Sequence, residues 1–277
     1  MKTLSRLIFV VTVLAFVGSA HAEVYDVEKC LPQYGTLDQD DIPGFGGVAC
    51  GPTAAVNSFV YLQNRYPSVY DNSLVPAQGA DLDGDLDVDF YDDMIAVAQT
   101  LGGAAYMNTI ANNTTFHDDF IWGKEQYIEA MVPGMTVYEA QDQWVWNNHP
   151  MPAYVTQTFP LWEFLYYELV DCEDVEVLIS WADGGHFITL TSFHWNDIDG
   201  DLIVDFGEGA WIDFIDPCTG AYNTAGIWQN DLGMILETDY TSGATLTMAV
   251  SESPIPEPAT MGLLALGGLG LLIRRRR

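Results

Sequence analysis

The chain has 277 residues, 49% of them hydrophobic and only 17% charged, which excludes bulk disorder and leaves room for a sizeable core. Charge is lopsided: 39 acidic residues face 9 basic ones, a formal net charge of −30 at pH 7. Between residues 23 and 258 the only basic side chains are Lys29, Arg65 and Lys124, so phosphate is repelled, nucleic-acid binding is excluded and divalent cations become attractive partners.

Lys2 and Arg6, an apolar run from Leu7 to Val17 and Ala20-His21-Ala22 ahead of Glu23 have the layout of a secretory signal peptide over residues 1–22, cut after Ala22. Residues 23–49 read as irregular, rich in Gly, Pro and Asp. A helix is expected to begin sharply near Cys50: Pro52 suits a first turn, and Val56, Phe59, Val60 and Gln63 follow at helical spacing. An aspartate-rich loop over 81–93 feeds a second helix, 94–101, stopped by Gly102-Gly103; further helices are expected over 124–131 and 161–170. The pattern then turns to strands over 175–181, 187–195, 210–215, 233–238 and 244–250. Helices first and strands second predict an α+β domain over 23–253, its N-terminal helices packed on a C-terminal antiparallel sheet.

The chain closes with Pro254-Ile255-Pro256-Glu257-Pro258, an apolar run from Ala259 to Ile273 and four arginines, 274–277. The run is shorter than the roughly 20 residues that a span usually needs, and the arginines suit the cytoplasmic side. A Pro-Glu-Pro triplet, a short hydrophobic helix and an Arg cluster, in that order over 254–277, resemble the PEP-CTERM sorting signal of Gram-negative bacteria. The resemblance implies an exosortase as processing partner, transient inner-membrane anchoring, and delivery to the cell surface or an extracellular matrix with polysaccharide as a further partner. A plain C-terminal anchor is the alternative.

One 12-residue pattern occurs twice, at 81–92 and 197–208, as Asp-x-Asp-Gly-Asp-Leu-x-Val-Asp-Phe-x-acid. Calcium takes six to eight oxygens, and one loop can offer them from positions 1, 3, 5, 9 and 12 with a carbonyl from position 7. These are Asp81, Asp83, Asp85, Asp89 and Asp92 with the Asp87 carbonyl, and Asp197, Asp199, Asp201, Asp205 and Glu208 with the Ile203 carbonyl. The spacing resembles EF-hand and dockerin-type loops, and makes calcium the expected cofactor, as a structural clip. Val88 and Val204, at position 8, are expected to tether the loops to the core. Position 6, usually Gly, is Leu86 or Leu202, with glycine at position 4 instead. A solvated acidic loop without an ion is the alternative.

The chemistry candidate is Cys50, in Gly46-Gly47-Val48-Ala49-Cys50-Gly51-Pro52. A cysteine at a helix N-terminus meets free N–H groups and the positive dipole end, which favour thiolate and can hold an oxyanion. Gly184-Gly185-His186 opens an apolar strand and Asp216 closes another, so a Cys50–His186–Asp216 triad can assemble across a ladder. Cys30, Cys50, Cys172 and Cys218 make an even set, and a disulfide at Cys50 is the competing reading. His117, His149 and His194 lack comparable context, and no Cys/His spacing suggests zinc.

The Cys-Gly-Pro-x-Ala helix start, the Gly-His before a strand and the later Asp-Pro resemble papain-like cysteine peptidases of the bacteriocin-leader-processing (double-glycine) type, over about residues 44–220. The resemblance implies Cys50 as nucleophile, His186 as general base and Asp216 as orienter. It also implies a glutamine about six residues before the cysteine; Gly44 stands there, and Gln39 is the nearest candidate. The expected activity is that of an exported cysteine peptidase, amidase or transferase acting on a peptide or protein. A non-catalytic calcium-binding matrix or adhesion protein is the alternative.

Overall fold

The computed structural model describes residues 22–29, 31–230 and 232–255. The expected signal peptide, Cys30 and nearly all of the C-terminal tail lie outside the described residues. Five helices are found among them: α1 (Cys50–Arg65), α2 (Phe90–Leu101), α3 (Thr109–Asn112), α4 (His117–Met131) and α5 (Trp162–Val170). The strands are β1 (Glu23–Glu28), β2 (Thr136–Asp142), β3 (Val155–Thr156), β4 (Asp174–Trp181), β5 (Gly184–Asp197), β6 (Trp211–Asp216), β7 (Ala221–Gln229), β8 (Leu236–Thr238) and β9 (Ala244–Pro254).

The expected papain-like layout, N-terminal helices on a C-terminal antiparallel sheet, is corrected. The chain is sheet-rich and builds one nine-stranded mixed sheet in which β2 and β3 run parallel. Strands come from the whole length: β1 pairs with β5, Tyr25 opposite Trp195, and β2 pairs with β9, Ala140 opposite Val250. Because β4 pairs with both β5 and β9, while β5 to β9 pair in succession, β4 to β9 close into a circuit. Strands at residues 23 and 136 pair onto that circuit, so the N-terminal part of the described chain is not a separate helical half.

Period-2 alternation divides β4 between two cores. Val175, Val177 and Ile179 pack with Ile188, Leu190, Phe214 and Leu246 in one cluster, while Leu178 joins Phe187, Met248 and Val250 in the other. The second cluster receives α1, whose Val56, Phe59 and Leu62 are fully buried, each side chain worth about 1.5–3 kcal/mol of burial. Thr189 Oγ1 of β5 donates to the Ala54 carbonyl at 2.9 Å, fixing the helix against the sheet and so the place of Cys50. No helix among the described residues is long and apolar enough to cross a membrane.

Candidate functional site

Cys50 is the first residue of α1, and no side chain caps that end, whose N-cap is Ala49. The chain reaches it through a 3-10 turn, Gly46–Val48. Gly51 follows because a Cβ there would stand 2.7 Å from Thr115 Oγ1, so the first turn lies close against the α3–α4 connection.

His186, third residue of β5, is buried opposite Ile179 of β4. Its Nε2 lies 2.7 Å from Asp216 Oδ1 at the end of β6, closing the pair expected from sequence. A ring nitrogen of His186, an Asp216 oxygen and the Cys218 sulfur lie within 4.8 Å of one another, and Cys50 lines the same cavity as the ring. Burial acts against the imidazolium, but Asp216 and the two thiols prevail and the pKa is pushed up to about 12. Asp216 goes the other way: burial opposes its charge, but His186, the Cys218 N–H at 2.9 Å and the Tyr240 hydroxyl lower it from 3.8.

The structure also brings in Gln39, which belongs to a 3-10 turn, Gln39–Asp41, capped by the Asp38 side chain. Its backbone N–H donates to Pro217 O at 2.7 Å, tying that turn to the residue after Asp216. Gly46 permits the approach from the other side, since a Cβ there would lie 2.6 Å from Gln39 O. The Gln39 side chain lines the same cavity of about 470 Å³ as Cys50, His186, Cys218 and Tyr240, and its buried Oε1 has no protein partner. A second cavity of about 360 Å³, lined by Thr114, His117, Trp144 and Phe187, also reaches Cys50. The nucleophile candidate therefore lines two hollows.

Two participants were not found from sequence. Tyr240 stacks on His186, centroids 5.7 Å apart, and its hydroxyl donates to Asp216 Oδ2 at 3.3 Å. Cys218 arrives on the turn between β6 and β7. Tyr240 comes from the turn between β8 and β9, far from His186 in sequence, whereas Cys218 follows Asp216 by two residues and donates its N–H to it. Among the described residues Cys50, Cys172 and Cys218 carry free thiols, so the disulfide reading finds no bridge between them.

The carboxylate loops share one hydrogen-bond pattern. At position 1, Asp81 accepts from Gly84 and Leu86 N–H and Asp197 from Gly200 and Leu202 N–H. At position 12, Asp92 accepts from Leu82 and Asp89 N–H and Glu208 from Ile198 and Asp205 N–H. Leu86 and Leu202 adopt φ of 74° and 63°, the left-handed conformation that glycine usually supplies at position 6. Carboxylate oxygens of Asp81, Asp83 and Asp85 lie within 4.8 Å of one another, as do those of Asp197, Asp199 and Glu208, and of Asp199, Asp201 and Asp205. Asp83 is raised from 3.8: the Asp85 N–H lowers it, but partial desolvation and the carboxylates of Asp85, Asp92 and Asp81 outweigh that bond. At position 7 the backbone N–H of Asp87 donates to Asp85 Oδ1 and that of Ile203 to Asp201 Oδ1, the position-5 carboxylates. The tethering valines differ: Val204 is fully buried, but Val88 is 51% exposed, and Leu82 packs on the core instead.

The remaining described histidines each meet a carboxylate: His117 Nδ1 lies 2.6 Å from Asp142, His149 Nε2 2.8 Å from Asp119, and His194 contacts Asp26. These are structural pairs, in keeping with their sequence context.

The tail decides where the protein goes: its Pro-Glu-Pro triplet, short apolar run and arginines match a known signal over residues 254–277. It is the PEP-CTERM protein-sorting motif. A PEP-CTERM protein of this kind is exported, transiently anchored and processed by an exosortase. No curated protein matches the chain. The comparisons give no support to the expected papain-like family, and the sheet layout departs from it.

Proposed function

We propose that this PEP-CTERM protein is an exported cysteine hydrolase or acyl transferase acting on a peptide-type carbonyl. The observation that carries the reading is the convergence of Cys50, His186 and Gln39 on one cavity, with Asp216 hydrogen-bonded to His186. Cys50 Sγ attacks the carbonyl carbon, forming a C–S bond. The developing oxyanion is met by the Cys50 backbone N–H at the head of α1 and by the Gln39 side-chain amide. His186, held protonated by Asp216, donates to the leaving nitrogen as the C–N bond breaks, leaving a thioester. Water, deprotonated by His186, or a second amine then releases the acyl group. Asp216 and Tyr240 keep the imidazole in place, and the two hollows that Cys50 lines suit an extended chain crossing it.

Cys50→Ala should cut turnover of a peptide library by about 10⁴-fold while leaving the circular dichroism spectrum unchanged. Undiminished turnover would remove Cys50 from the mechanism.

Calcium is proposed as the structural ion of both loops, which would hold it through Asp81, Asp83, Asp85, Asp89 and Asp92, and through Asp197, Asp199, Asp201, Asp205 and Glu208. Convergent carboxylates and the shared left-handed leucine support that fit. A bound ion would only brace the loops; neither lines the cavity at Cys50.

A second reading, adhesion to matrix polysaccharide, is favoured by one surface. Exposed Phe206 packs edge-on against Trp228, centroids 5.0 Å apart, in a cleft of about 730 Å³ beside the second loop. Polysaccharide pull-down that survives Cys50→Ala and fails with Trp228→Ala would establish that surface as a binding site.

A further inference from the structure

Away from Cys50, the core between α4 and the sheet holds a polar cluster with no part in that chemistry. Lys124 of α4 is fully buried, and its ammonium is surrounded by three equally buried carboxylates: Asp174 and Glu176 of β4 and Glu252 of β9. Nζ stands 3.1 Å from Asp174 Oδ2 and 2.6 Å from Glu176 Oε1, and also contacts Glu252. The Phe59 ring lies 5.9 Å away, and no solvent reaches the group. Three carboxylates and one ammonium would leave two uncompensated charges in the interior, so protons must be retained. Burial, with Asp174 close by, pushes both Glu176 and Glu252 upward against the pull of Lys124.

Asp174 is held differently from the two glutamates. Its Oδ1 accepts the Glu252 backbone N–H at 3.0 Å, and its Oδ2 accepts both the Ser58 hydroxyl and Lys124. One oxygen thus sits against a fixed donor, as an oxyanion needs, while the other faces the proton donors, as a leaving oxygen needs.

We propose that Lys124 and Asp174 become joined by a self-formed isopeptide bond inside this cluster, with Glu176 carrying the protons. Glu176 gives its retained proton to Asp174 Oδ2 and takes one from Lys124, and the neutral Nζ attacks Asp174 Cγ. The N–C bond forms, and negative charge collects on Oδ1 against the Glu252 N–H. The Cγ–Oδ2 bond then breaks and the oxygen leaves as water, taking the two protons that the amine loses. Ammonium and carboxylate become amide and water, and no oxidant, cofactor or second reactant is required. Burial favours the product, because a neutral amide replaces two charges held out of solvent.

The composition makes the test direct. Lys29, Arg65 and Lys124 are the only tryptic sites between residues 23 and 258, and an amide on Nζ blocks the third. The exported protein is unfolded, its termini are read from the digest, and its intact mass is compared with the sequence. The expected result is a mass lower by one water, no cleavage after Lys124, and a branched peptide joining Lys124 to Asp174 in a second digest. Glu176→Gln should restore both the full mass and the cleavage while circular dichroism stays native. Should that variant fail to fold, the wild-type digest still decides. Full mass with normal cleavage after Lys124 overturns the proposal. So does a water loss that maps to Asp83-Gly84 or Asp199-Gly200, where succinimide formation gives the same mass. A branch to Glu176 or Glu252 overturns the assignment of Asp174.

Discussion

Gln39 shows how single residues reach the site by routes that a motif does not describe. It lies eleven positions before Cys50 in sequence, yet both line one cavity, because its turn is tied to Pro217 and pressed against Gly46. Gln39→Ala should lower kcat by about 10²–10³-fold with little change in KM, the signature of a lost oxyanion donor. Gly46→Ala should lower it similarly although residue 46 makes no contact with the sulfur, since the added carbon displaces the Gln39 backbone. His186 gives a pH prediction. Its folded pKa is raised from 6.5, so its stabilising effect is complete below 6.5 and is lost as pH climbs toward about 12. The folded pKa of Asp216 is lowered from 3.8, so its effect is present above 3.8 and is lost as pH falls through the depressed value. The gap in urea midpoint between wild type and His186→Ala should therefore be widest between 3.8 and 6.5 and narrow on either side. Cys50, His186 and Asp216 were legible because each sits at the end of a regular element with a glycine or proline beside it. Tyr240 was not, because it meets His186 only once the sheet is assembled, and Cys218, two residues after Asp216, reads from sequence only as one of an even set of cysteines.

At the scale of elements, strong periodicity translated well. The helix from Cys50 and the strands around 175–181 and 187–195 are found. The strands that were missed lack that signal: β1 buries only Tyr25 well within a charged segment, and β7 leaves its first four residues exposed. Helix α2 begins at Phe90, earlier than the expected 94, because Asp89 and Asp92 form a capping box and so serve both helix and loop. Asp89→Ala should therefore cost about 1 kcal/mol even with chelator present, read by urea denaturation. The left-handed leucines give a prediction of opposite sign. Leu86→Gly and Leu202→Gly remove a Cβ from a conformation disfavoured by roughly 1–2 kcal/mol, so each should raise the Tm of the chelated protein or leave it unchanged despite glycine's entropic cost.

For the whole molecule, charge dominates. All 39 carboxylates belong to the 23–258 segment with three basic residues, two of them buried, so the surface is an almost unbroken anion. Without divalent cations, moderate NaCl should raise the Tm by screening self-repulsion; with saturating calcium the same salt should do much less. Calcium at a hundredfold excess over Kd should add about 2.7 kcal/mol per occupied loop, and unchanged unfolding across a chelator titration would rule the ion out.

Strand β9 has a further consequence. It stays paired with β2 up to Pro254, opposite Thr136, and the Ile255 N–H still bonds to Met135 O. Pro254 is also the first residue of the PEP-CTERM match, so domain and address tag abut without a spacer. Only residues 256–258 separate Ile255 from the apolar run that starts at Ala259, so a tail seated in a bilayer would leave a tether of no more than about 3.6 Å per residue. The processing enzyme must then either act on a nascent chain whose last strand is still loose or pry that strand away, and export becomes a contest between zipping the final hydrogen bonds and cutting beside them.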